Sequence, residues 1–180
     1  ITGQLPKDLW VSRVQASAHQ KSRVYLALNG YRWDDFTPYL YVSQDYGDTW
    51  QQIGKDLPLE PVNVIKEDPE HPDLLYVGTD HGLYISLDGG QQFMLLDNNL
   101  PAVAVHDLAI QNTVKELVVG THGRSIYAGR IKELQQLDSA LLAKELHAFA
   151  PDPIRHRPGW GKKSVWDRSI PEAQLPVYAQ

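Results

Sequence analysis

The chain has 180 residues, 42% hydrophobic and 22% charged, with a formal net charge of −5, enough for one domain with a sizeable core. That charge gives no basic field to hold a phosphate backbone, so nucleic acid is not expected as a partner. No apolar run approaches the roughly 18 residues of a spanning helix, so membrane insertion is not expected; the absence of cysteine excludes a disulfide scaffold and a thiolate metal site.

The N-terminal Ile1-Thr2-Gly3-Gln4-Leu5-Pro6 does not read as a signal peptide and lacks an initiating Met, so it says nothing about compartment. The next residues open a repeat. Val11-Ser12-Arg13-Val14 is matched by Val62-Asn63-Val64-Ile65, 51 residues on, and by Val105-His106-Asp107-Leu108, a further 43 on. Ser43-Gln44-Asp45-Tyr46-Gly47-Asp48-Thr49-Trp50 recurs 43 residues later as Ser86-Leu87-Asp88-Gly89-Gly90-Gln91-Gln92-Phe93. Leu75-Tyr76-Val77-Gly78-Thr79 recurs 42 residues later as Leu117-Val118-Val119-Gly120-Thr121. The longer first interval fits an insertion at Gly30-Tyr31-Arg32-Trp33-Asp34-Asp35-Phe36-Thr37.

Each unit reads as four short strands. In the second unit they fall near Val62–Glu67, Leu74–Thr79, Gly82–Ser86 and Gln92–Leu96. Asp-Pro, Asp-His-Gly and Asp-Gly-Gly turns separate them. Four strands in roughly 43 residues is the signature of a propeller blade. The expected fold is therefore all-β, with about three blades in an incomplete ring, over 8–58, 59–101 and 102–137. The third unit has lost the Ser-x-Asp-x-Gly turn. A short helix is expected over 138–150, with Asp138 or Ser139 as N-cap and Leu141, Leu142, Leu146 and Phe149 on one face. The Pro-rich, basic residues 151–180 read as a connector or the start of a following domain.

The two Ser-x-Asp-x-Gly turns resemble those of the Asp-box (BNR) repeat propellers, which include sialidases, xyloglucanases and the sortilin propeller. The resemblance is closest to bacterial sortilin-like BNR proteins that carry a glycosyl hydrolase label. It rests on Asn29-Gly30-Tyr31-Arg32, Asp34–Tyr41, Pro61–Ile65, Leu74–Thr79 and Gly120-Thr121-His122-Gly123-Arg124, and covers about Trp10 to Ile131. It implies a β-propeller from the C-terminal part of a ring, with further blades elsewhere in the parent, and hardly any particular chemistry.

The conspicuous residues divide by blade topology. Asp45 and Asp88 suit tight turns in which a carboxylate accepts backbone N–H groups. Gly47 and Gly90 supply positive φ, Ser43 and Ser86 bridge the turn, and Trp50 and Phe93 plug the sheet layers. These eight residues read as structural. The opposite face, the propeller mouth, should collect Arg32, Trp33, Asp34 and Asp35 with His81, His106, Asp107, His122 and Arg124 as ligand-binding candidates. Each also has a structural reading, as a strand-tying turn residue or an inter-blade hydrogen-bonding group.

Catalytic signals are thin: no nucleophile elbow, no HExxH and no phosphate loop occur. Asp35 and Asp107 are the weak candidates for a carboxylate pair. His71, His81, His106 and His122 are read as falling on different blades without the spacing of a metal pair, so neither metal nor cofactor is expected. The leading expectation is a non-catalytic binding or assembly scaffold in a larger secreted or envelope protein, with a carbohydrate or peptide ligand. The alternatives are a glycoside hydrolase fragment and a sortilin-like peptide receptor. An isolated three-blade arc leaves raw edges, so the remaining blades of the parent or a second copy (two halves making a six-bladed ring) are expected as partners.

Overall fold

The computed structural model describes residues 5–151 except 98 and 138. The chain divides into two units, Ile1–His147 and Ala148–Gln180, and the described secondary structure lies in the first. The connector expected after residue 150 falls, apart from Pro151, outside the described residues.

Three antiparallel sheets form in chain order. The first comprises β1 (Trp10–Ala16), β2 (Val24–Gly30), β3 (Asp35–Ser43) and β4 (Gln51–Ile53). The second comprises β5 (Val62–Glu67), β6 (Leu75–Thr79), β7 (Leu83–Ser86) and β8 (Met94–Leu95). The third has β9 (Val105–Gln111), β10 (Glu116–Thr121) and β11 (Ile126–Arg130). Each sheet is a meander in which every strand pairs with its predecessor. The strands opening the sheets are neighbours, with β5 packed against both β1 and β9. This is the arrangement of consecutive propeller blades around an axis.

The second sheet is covered on both faces, which explains why its strands read as nearly continuous apolar runs. Alternation along β6 sends Leu75 and Val77 towards the first sheet and Tyr76 towards the third. The first layer packs them with Tyr25, Ala27, Leu40, Val42 and Phe93; the second packs Tyr76 with Ile85, Val105, Leu108 and Leu117. Full burial of each large side chain contributes roughly 1.5–3 kcal/mol. Gly78 sits where the layers are tightest: a Cβ there would lie 2.6 Å from Val105 Cγ1 and 2.7 Å from Val64 Cγ1.

Buried acids tie neighbouring sheets together. The Glu67 carboxylate accepts bonds from Ser17 Oγ (2.9 Å), Ala18 N (2.7 Å) and Tyr25 Oη (2.9 Å), all from the first sheet or its β1–β2 loop. Asp68 accepts from Tyr76 Oη at 3.1 Å and from Gln135 Nε2 at 3.0 Å. Gln135 belongs to a 3-10 turn, Leu134–Gln136, that follows β11. Where the third unit lacks its box, the chain thus runs into this turn against Asp68, and no fourth strand forms among the described residues.

The expected helix is much shorter than 138–150. Only Ser139–Leu142 is helical, and the cap position at Asp138 lies outside the described residues. Leu142 and Leu146 are 56% and 83% exposed. Without a buried apolar face, nothing offsets the nucleation cost of a longer helix.

The described residues cover the outermost faces only in part. On the first sheet Leu26, Leu28, Tyr41 and Trp50 form a separate cluster with Leu5 and Leu9, beside an open apolar groove of about 650 Å³. On the third, Ala109, Val118 and Ala128 align across β9, β10 and β11, next to Ile126, which is exposed.

Candidate functional site at the mouth edge

Strand register decides which side chains meet. Val62 pairs with Thr79, Val105 with Thr121, and Gly30 with Asp35. The starts of β5 and β9, the ends of β2, β6 and β10 and the starts of β3, β7 and β11 therefore share one edge. The two Ser-x-Asp-x-Gly turns lie at the other, where Gly89 N donates to Asp73 O (2.9 Å) and Tyr46 N to Ser22 O (2.9 Å).

Those turns have matching geometry. Ser43 Oγ donates to Asp45 Oδ1 (2.7 Å) and accepts from Gly47 N (2.8 Å); Ser86 repeats both bonds with Asp88 and Gly90 at the same distances. Asp45 accepts Thr49 N and Oγ1, whereas Asp88 accepts the backbone N–H groups of Gln91 and Gln92. Gly47 and Gly90 both adopt φ +95°, which a side chain would strain. Bonds from Thr49, side chain first and then backbone, followed by Ser43, lower the Asp45 pKa to about 2. Burial raises that of Asp88, but its hydrogen bonds outweigh burial and bring it below the usual range. Both carboxylates are spent on holding loops.

At the mouth edge the insertion forms a 3-10 turn, Tyr31–Trp33, closed by Asp34 in the left-handed conformation at φ 57°. Arg32 lies over the Trp10 ring, 4.4 Å from its centre. Tyr31, Trp33 and Phe36 are solvent-exposed, and a small hollow of about 150 Å³ is lined by Trp10, Ser12, Asn29, Tyr31 and Arg32 among others. Asp35 accepts Thr37 N (3.0 Å) and Tyr39 Oη (2.8 Å). Bonds from Thr37, and then from Tyr39, hold its carboxyl below the usual range.

A chain of amides connects the first two sheets. Asn29 Nδ2 donates to Asn63 Oδ1 (3.2 Å), and Asn63 Nδ2 to Asp80 Oδ1 (2.8 Å). His81 Nδ1 lies 3.4 Å from a Glu60 oxygen. Asp107 is held by Arg13 at 2.6 Å and by the Leu108 N–H at 3.0 Å. His106 and His122 have ring centres 5.5 Å apart. This corrects the different-blade reading for these two: both belong to the third sheet, brought together by β9–β10 pairing. Arg124 is exposed, with no ion pair among the described residues.

The mouth-edge candidates thus fall into an aromatic and charged group around the insertion, Arg32 to Asp35, and a histidine group on the third sheet. Asp35 and Asp107 are both structurally engaged, and no bond joins them. Trp10 and Arg13 were missed. Arg13 had a readable signal: it occupies the repeat position that holds Asp107 in the third unit, with opposite charge.

No protein-family profile matches the chain, and no curated protein sequence matches it. Solved structures do. An ancestral GH74 enzyme matches at 23% identity with a TM-score of 0.53, over 64% of this chain and 14% of that one. The GH74 xyloglucanase from Xanthomonas campestris matches at 14% identity and a TM-score of 0.52, over 64% of this chain and 20% of that one. YCF48 bound to D1 peptide matches at 17% identity and 0.48, over 72% of this chain and 39% of that one. The chain spans under a quarter of the length of either GH74 structure it matches. At these identities the likeness to the two GH74 structures shows a β-propeller-like fold and nothing finer.

Proposed function

We propose that the chain is a non-catalytic β-propeller segment of the Asp-box, sortilin-like kind, a binding or assembly scaffold in a larger bacterial secreted or envelope protein. Its blades run over 8–58, 59–101 and 102–137, and its ligand face is the mouth edge. The observation that carries this reading is that the two candidate acids are already occupied. A glycosidase needs one carboxyl as proton donor and another about 5–10 Å away. Asp35 is hydrogen-bonded in its charged form, and Asp107 is ion-paired with Arg13. On the same edge the insertion exposes Trp33 and Tyr31, aromatic side chains suited to a sugar or a peptide, beside Arg32 and Asp34.

The assembly half of the reading is supported by the open apolar groove on the first sheet and by the exposed Ile126 on the third. Such faces in a propeller are covered by further blades, here from the parent chain or from a second copy completing a six-bladed ring. Sedimentation equilibrium on the folded chain checks the second option: a stable monomer removes it.

Glycan and peptide arrays probed with the intact chain test the ligand face. The triple variant Trp33→Ala, His122→Ala, Arg124→Ala should lose binding with an unchanged circular-dichroism spectrum. Retained binding counts against the mouth edge. Polysaccharide turnover by the parent protein that disappears in Asp35→Asn or Asp107→Asn would favour the glycoside hydrolase reading instead.

A further inference from the structure

We infer that His106 and His122 form a two-histidine site for a divalent transition-metal ion at the mouth edge. His106 is the second residue of β9, and His122 directly follows β10. The register shift between Gly120 and Thr121, with the bond from His122 N to Ala104 O (2.9 Å), sets the two side chains beside each other. Their ring centres are 5.5 Å apart and the planes are tilted by 58°. A metal–nitrogen bond of about 2.0–2.1 Å, plus roughly 1 Å from nitrogen to ring centre, separates two tetrahedrally placed imidazoles by about 5 Å. The observed spacing, also that of an ordinary tilted ring pair, leaves room for one ion shared by the two rings.

Both rings are exposed, and neither ring makes a hydrogen bond among the described residues. The neighbouring charges leave the pair available. Asp107 is taken by Arg13 and the Leu108 N–H, and Arg124 is exposed to solvent. No third His, Asp or Glu completes a cluster among the described residues. An ion here keeps two or more positions open, facing the mouth, for a hydroxyl or carboxylate oxygen. Imidazole donors suit zinc, nickel and copper rather than calcium or magnesium.

The test is calorimetric titration of the full chain with zinc chloride, then nickel chloride. We expect a site at one ion per chain, weakened by roughly tenfold or more in His106→Ala and in His122→Ala, because each removes half of the protein ligands. His81→Ala should leave that site unchanged. Imidazole NMR resonances of the unmutated chain give a second readout: zinc should shift those of His106 and His122 together. Zinc binding that leaves both unshifted overturns the proposal. So does a response to inorganic sulfate alone that is lost in Arg124→Ala, which would make the pair part of an anion pocket. The site shares His122 with the proposed ligand face, but the two fail separately: array binding of the unmutated chain measured in chelator can persist when zinc binding fails, and the reverse.

Discussion

Arg13 and Asp107 hold the same place in the first and third repeat units, and their side chains meet at 2.6 Å although 94 residues separate them. The opening strand of the second sheet, β5, packs against both β1 and β9. One ion pair therefore reports that three blades are correctly stacked around the axis. It also removes Asp107 from the list of free acids.

The pair should add little stability. Its side chains are 35% and 69% exposed, and such pairs contribute about 0.2–1 kcal/mol, screened by salt. A double-mutant cycle of Arg13→Ala and Asp107→Ala in urea should give a coupling within that range, falling as sodium chloride rises. A salt-independent coupling of several kcal/mol would contradict the exposed geometry.

Glu67 should matter far more. Its side chain is 1% exposed and collects donors from Ser17, Ala18 and Tyr25. Glu67→Ala strands the buried Tyr25 hydroxyl and takes the carboxylate away from Arg23, 3.6 Å off, and should destabilise the chain by about 3–5 kcal/mol. Glu67→Gln keeps an acceptor and should lose less. Chemical denaturation measures both; equal losses would mean that the hydrogen bonds are not the cause.

Asp45 sets an acid limb. Its folded pKa, about 2 against a reference of 3.8, lies below that of the unfolded chain. Its contribution is therefore present above pH 4 and lost as pH falls from about 4 towards 2. Melting temperatures of the unmutated chain and Asp45→Asn should differ most above pH 4 and converge at pH 2. A gap that stays constant over this range would refute the carboxylate's role in the turn.

Gly78→Ala should force the second and third sheets apart, since the added Cβ meets Val105 Cγ1 at 2.6 Å and the Val105 carbonyl oxygen at 2.8 Å. Overpacking of this kind costs about 1–3 kcal/mol. Val105→Ala in the same chain should recover part of the loss, because it removes the nearest obstructing methyl. No recovery would place the strain elsewhere.

The sequence by itself determined the repeat, and with it the strands, their order and the two edges. Each of these depends on local chemistry: the short apolar run of β6, turn residues such as Asp68-Pro69, and the Ser-x-Asp-x-Gly turns, whose bonds close within seven residues. The helix expected over 138–150 shows the limit of that reasoning. Its apolar spacing was legible, but a helix of this length depends on a burying partner, and Leu142 and Leu146 have none among the described residues. Only the tertiary structure decided which distant side chains meet. Asn63 joins Asn29 to Asp80, Arg13 engages Asp107, and His106 meets His122 because strand register and blade stacking superpose residues that spacing along the chain keeps apart.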